Sequence, residues 1–145
     1  MQDCSPAVTH MDPGALKTLT VKHGPLLKNE IPLDAPYREI IGALLYLSTH
    51  TRPDIAVAVN ILSRHVRNPR ECHWEASKRI LRYLRKTKDH ELLLNPTGST
   101  LKVASDSDWG GCADRVSFSG YTLFISGALV GWMCQRQKIN HTLQH

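Results

Sequence analysis

Residues 68–86 read NPRECHWEASKRILRYLRK. Asn68 offers a side-chain cap, Pro69 suits a first turn, and Glu71 puts a negative charge at the positive end of a helix dipole. Trp74, Ser77, Ile80, Leu81 and Leu84 then fall on one side of a rod with a period near 3.6. Lys78, Arg79, Arg82, Arg85 and Lys86 fall on the other. The spacing predicts a helix to about Lys86, apolar on one face and cationic on the opposite one.

The same period runs upstream. Pro36 and Glu39 open a segment in which Tyr37, Ile40, Ile41, Leu44 and Ser48 line one stripe, widened by Leu45 and Leu47. It reads as a helix to about Thr49. Thr51 as cap, Pro53 as an early position and Asp54 as a dipole partner start another. There Ile55, Ala58, Val59, Leu62 and Val66 share a face while Val57 and Ile61 lie elsewhere, so this helix is expected between two neighbours. Residues 1–35, with Pro6, Pro13, Gly14, Gly24, Pro25 and Pro32 and no sustained period, read as an extended linker arm.

Downstream the period changes to two. Asn95-Pro96-Thr97-Gly98 is turn chemistry, and Leu101–Ser105 reads as a strand. A polar, Gly-containing loop (106–119) leads to a second strand, Tyr121–Ile125. Ser126-Gly127 is a hairpin turn before a third, Leu129–Cys134. Such a meander, with no covering helix, is expected to leave one face bare and an edge unpaired. The expected fold class is α+β: a linker arm (1–35), a three-helix region (36–94) and an incomplete three-stranded antiparallel sheet (95–145).

Composition narrows the function classes. A chain of 145 residues, 41% hydrophobic, suits a globular core rather than disorder. No apolar run is long enough to span a bilayer. The opening MQDCSPAVTH carries neither a basic nor an apolar leader region, so an intracellular protein, in cytoplasm or nucleus, is expected. Cys4, Cys72, Cys112 and Cys134 form no CxxC pair, which favours reduced thiols. A zinc site from Cys112, Cys134, His141 and His145 fits no compact ligand spacing. The net charge of +5 is local: residues 64–90 hold nine of the 18 Lys and Arg against three acids. A polyanion footprint has that form.

Two features bear on chemistry. The cationic stripe can neutralise several phosphates of a nucleic-acid backbone at once, although a solvated helix face has the same pattern. Ser105-Asp106-Ser107-Asp108 follows a strand, where carboxylates on a rigid scaffold can hold Mg²⁺; a plain acidic turn reads the same way. Side chains at i and i+2 share a face only while the chain stays extended, so usually only one of the two would be the ligand, the other facing loop or solvent. Ser119 and His141 suggest no hydrolase, since nothing orients the pair. His65 and His73 read as packing or surface groups.

Several motifs then occur in one order. Tyr37-Arg38-Glu39-Ile40-Ile41-Gly42-Ala43-Leu44-Leu45-Tyr46-Leu47 and Thr51-Arg52-Pro53-Asp54-Ile55-Ala56 resemble a stretch of copia-type LTR retrotransposon Pol polyproteins. Asn68-Pro69, His73-Trp74 and residues 78–84 continue the resemblance, as do Ser105–Gly111 and Ser117–Tyr121. It covers essentially residues 1–138. The resemblance implies a reverse transcriptase thumb and connection for the helices, gripping an RNA–DNA hybrid or duplex through Lys78, Arg79, Arg82, Arg85 and Lys86. It implies the start of a ribonuclease H sheet for the strands, with Asp106 in the place of the first catalytic, Mg²⁺-binding aspartate.

The departures are as informative. No glutamate occurs after Glu91, and Asp114 is the last aspartate, so the family's further catalytic carboxylates have no counterpart. The expectation is a fragment whose Asp106 is vestigial, inactive alone and without bound Mg²⁺, with the rest of the polyprotein as partner and no membrane. The alternatives are a co-opted nucleic-acid-binding module using residues 78–86, or an inert translation product.

Overall fold

A computed structural model describes residues 7–12, 14, 15, 19, 35–95, 97–107 and 117–137. These form three α-helices and one antiparallel sheet, an α+β chain: α1 (Tyr37–His50), a 3₁₀ turn (Pro53–Ile55), α2 (Ala56–Ser63), α3 (Glu71–Lys86), β1 (Leu101–Ser107), β2 (Phe118–Ile125) and β3 (Ala128–Arg136). The chain divides into two compact units, Met1–Leu92 and Leu93–His145.

In the first unit, α1 buries Tyr37, Ile41, Leu44 and Ser48, one residue per turn as its stripe requires. The α2 segment packs against both other helices and buries Ile55, Ala58, Val59, Ile61 and Leu62. Two neighbours cover most of its apolar surface, Ile61 included, but Val57 stays 43% exposed. Burying a side chain of this size contributes ~1.5–3 kcal/mol, and these residues are the centre of the core. The Tyr37 hydroxyl donates to the Leu62 carbonyl at 2.9 Å across the core. Burial pushes that phenol's pKa well up, with Cys72 adding to the effect, so the group stays protonated and donates.

Three local readings need correction. Thr51 closes α1, its N–H bonding the Leu47 carbonyl, and does not cap the next helix. The second helix ends at Ser63, followed by turn residues, rather than reaching Val66. On α3 the cap position is Arg70, not Asn68, and its N–H donates to the ring Nδ1 of His73 at 2.9 Å. That bond lets His73, fully buried, take the inward position, with its ring stacked 3.9 Å from His65, while Trp74 stays half-buried.

In the second unit the strands are sequential neighbours in the order β1-β2-β3. All three run further than the alternation suggested, β1 through Asp106 to Ser107. The β2–β3 turn places Ser126 at φ 53° and Gly127 at φ 85°. Two successive left-handed residues make the turn whose twist matches a hairpin. Thr97 N–H donates to the Ser126 carbonyl at 2.8 Å and Ser126 N–H to the Thr100 carbonyl at 2.7 Å, tying the approach to β1 onto that turn. Pairing is Leu101↔Ile125, Val103↔Leu123 and Tyr121↔Met133, so these residues share one face. Leu101, Val103, Tyr121, Ile125 and Met133 on it are all exposed, Leu101 by 64%. Every residue of β1 is exposed.

Among the described residues no helix is long and apolar enough to cross a membrane.

Candidate nucleic-acid interface

The cationic residues sit on α3 because its inner row is fixed by His73, Ser77 and Ile80, all fully buried. At 100° per residue, Lys78, Arg82, Arg85 and Lys86 occupy an arc of about 100° opposite that row. Arg79 lies at the arc's edge. Arg85 and Lys86 fall in the last turn, where cations offset the negative end of the helix dipole.

Lys78 and Arg79 are each engaged by neighbouring side chains. Lys78 pairs with Glu75 one turn back, and its ammonium lies 5.6 Å from the Trp74 ring centre. A hydrogen bond from Lys78 in turn holds the Glu75 carboxyl below its usual range, against slight burial. Arg79 leans off the helix towards the N-terminal segment. Its Nε donates to the Thr9 carbonyl at 3.2 Å and its Nη2 to the Thr9 hydroxyl at 2.9 Å. Nη2 also reaches the Asp12 carboxylate at 2.8 Å.

The C-terminal end of α3 is held by residues whose tertiary role the sequence reading missed. Arg52 makes a two-point pair with Asp54 (Nε–Oδ1 3.0 Å, Nη2–Oδ2 2.7 Å) and donates to the carbonyl and hydroxyl of Thr87. The Tyr83 hydroxyl donates to Asp54 at 2.8 Å, and the Arg52 guanidinium lies 5.6 Å from the Tyr83 ring centre. Burial alone would raise the Asp54 pKa; the hydrogen bonds from Arg52 and Tyr83 outweigh it and leave the carboxyl below its usual range. Asp54 is thus more than a dipole partner for the helix that follows it. The only sequence-level signal was Arg and Asp two residues apart beside a proline, which names no distant partner.

The Asp106 side chain is exposed on β1, opposite Gly120, and its Oδ1 accepts the Ser107 N–H at 2.8 Å. Gly120 in turn faces Cys134, whose thiol pKa burial raises. Asp108, Cys112, His141 and His145 lie outside the described residues. Among the described residues no group of three or more His, Cys, Asp or Glu side chains comes together as a metal site. The Mg²⁺ that the resemblance implies needs several acidic ligands. The described residues assemble no such set.

No family model and no solved structure matches the chain. It is 40% identical over 107 residues to the "Secreted RxLR effector protein 161" of Plasmopara viticola, covering 72% of this chain and 75% of that protein. It is 42% identical over 112 residues to the retrovirus-related Pol polyprotein from transposon RE2 of Arabidopsis thaliana. It is 45% identical over 105 residues to that from transposon RE1 of the same plant. These matches cover 75% and 70% of this chain but only 8% and 7% of the polyproteins.

Proposed function

The chain belongs to the family of retrovirus-related Pol polyproteins from transposons, and from that premise we propose that its helical unit is a thumb- or connection-like element of a copia-type polymerase, gripping a nucleic-acid backbone through α3. The observation that carries this reading is the division of α3 between a buried row and an opposed stripe of Lys78, Arg82, Arg85 and Lys86. A rigid rod with cations in adjacent turns matches the regular spacing of phosphates, and releasing counterions from them drives association. The surface carries no sequence code, so the preferred partner is a duplex or RNA–DNA hybrid recognised by its backbone.

On this reading the strand unit is the opening of a ribonuclease H-like sheet, and Asp106 is what remains of a catalytic, metal-binding aspartate. Cleavage assisted by two metals needs several carboxylates in fixed geometry. After Glu91 this sequence has only Asp106, Asp108 and Asp114. By itself the chain neither extends a primer nor cuts a hybrid.

Filter binding to an RNA–DNA hybrid across a salt series tests the grip. The logarithm of the binding constant should fall with the logarithm of salt at about −0.9 for each phosphate neutralised, and neutralising Lys78, Arg82, Arg85 and Lys86 together should flatten the slope. A flat slope for the unaltered chain sinks the reading. Mg²⁺-dependent hybrid cleavage lost on Asp106→Asn overturns the claim of inactivity.

A second reading, a nucleic-acid-binding module used outside a polyprotein, is favoured by one finding. The match to the Plasmopara viticola protein spans three quarters of that protein's length, so this stretch also occurs without most of a polymerase around it.

A further inference from the structure

We propose that residues 7–12 form a strap that competes with phosphate for Arg79, and so regulates how many cations α3 presents; this rests on the reading of α3 as a backbone-binding face. The guanidinium is met by three oxygens: the Thr9 carbonyl, the Thr9 hydroxyl and an Asp12 carboxylate oxygen, at 2.8–3.2 Å. A phosphate group offers an arginine the same kind of anionic, multi-oxygen surface. The strap thus occupies the cation with a stand-in for its ligand.

The attachment is built to yield. None of residues 7–12 is fully buried, and Val8 is 72% exposed. The Asp12 side chain is 59% exposed, so its pair with Arg79 is of the surface kind, individually weak and screened by salt. Beside it, the His10 ring meets Tyr83 edge-on at 5.5 Å. A cavity of about 450 Å³, lined by Met11, Ala15, Leu19, Ala58, Leu62 and Ile80 among others, lies where the described N-terminal residues meet the helices. Releasing Arg79 gives the face a fifth cation in register, because Arg79, Arg82 and Lys86 follow one another at the three- and four-residue spacings that make helix neighbours.

The test is a mutant cycle on the full chain with an RNA–DNA hybrid over a salt series, folding being checked by circular dichroism. Asp12→Asn should tighten binding by up to about five-fold, the strength of an exposed pair, and steepen the salt slope by about one phosphate's worth. Thr9→Val should act in the same direction by less. Combined with Asp12→Asn, Arg79→Gln should abolish the gain in affinity and in salt slope. Glu39→Gln, which removes a negative charge from α1, sets the baseline for charge alone. If the unaltered chain binds and Asp12→Asn matches Glu39→Gln, the strap is wrong and the backbone-binding face stands. If only Asp12→Asn binds, the strap is upheld in its strongest form. If neither binds at low salt, the face fails and the strap with it.

Discussion

The Arg52 guanidinium donates to the carbonyl of Thr87 at 3.2 Å and to its hydroxyl at 2.6 Å, across 35 residues of sequence. Thr87 is the residue that closes α3. The last carbonyls of a helix have no partner within it, and a cation there offsets the dipole. A motif between α1 and α2 therefore finishes the cationic helix and fixes where its last turn points.

Replacing Arg52 by Lys tests whether charge or shape matters. A lysine keeps the cation but lacks the planar fork that reaches Asp54 and Thr87 together. Hydrogen bonds involving a charged group contribute ~1.5–3 kcal/mol each when lost one-sidedly, and the Arg52 side chain is only 12% exposed. Arg52→Lys should destabilise the helical unit by ~2 kcal/mol on that basis, lowering its melting temperature by about 4–8 °C per kcal/mol. An unchanged thermal melt removes the clamp's structural role.

Asp54 gives the clamp a pH dependence of definite sign. Its carboxyl is held below the ordinary 3.8 in the folded chain, hydrogen bonds from Arg52 and Tyr83 outweighing burial. The unfolded chain thus takes up the proton first as pH falls. The stabilisation is complete above 3.8 and is lost as pH drops through the lowered value. Acid unfolding followed by far-UV circular dichroism should lose part of its low-pH limb in Asp54→Asn; the same acid profile in both proteins contradicts the assignment.

His10 titrates the strap in the opposite region. Burial lowers its pKa below 6.5 and Arg79 adds to this, while Asp54 opposes it. The docked ring is therefore neutral where a free ring is already charged. Docking is at full strength above 6.5 and weakens as pH falls towards the depressed value. Amide exchange of residues 7–12 should accelerate below 6.5, beyond the intrinsic pH effect, and His10→Gln should abolish the excess. Protection that does not vary over this range rules the coupling out.

Much of this arrangement was legible in the sequence because it is local. Pro36, Pro53 and Pro69 marked where helices begin, and the 3.6-residue period named most of the buried face of α1 and the polarity of α3. What failed depended on specific partners that an apolar period does not name, one of them three residues away and the others far along the chain. Trp74 read as core by its apolar character, yet His73 takes the inner position once its Nδ1 accepts the Arg70 N–H. Arg79 read as one more member of the stripe, since nothing near it in sequence announces Thr9 and Asp12.

The Tyr37 hydroxyl bond allows a cleaner stability measurement, as it lies in the core. Leu62's carbonyl also accepts the His65 N–H at 3.0 Å, so removing the phenol leaves it partnered. Tyr37→Phe should then cost ~1 kcal/mol, the net value of a single hydrogen bond, rather than the larger penalty of an orphaned group. A loss of 3 kcal/mol or more in urea unfolding, on the scale of that penalty, means the carbonyl was left unsatisfied.

The strand unit can be probed at its turn. Gly127 sits at φ 85°, where an L side chain is strained, while the nearest atom to an added Cβ is the Thr97 hydroxyl at 3.7 Å, an ordinary contact. Any cost of Gly127→Ala is therefore conformational and not steric, and should be ~1 kcal/mol. Ser126 differs: asparagine tolerates its left-handed backbone better, but the serine hydroxyl donates to the Gly98 carbonyl, and Ser126 is 5% exposed. Ser126→Asn should thus fail to stabilise the hairpin, against the usual preference for Asn-Gly in such turns. The measurement is strand-specific amide exchange in β2 and β3. Faster exchange in both variants supports the argument, and slower exchange in Ser126→Asn shows that backbone preference outweighs the Gly98 bond.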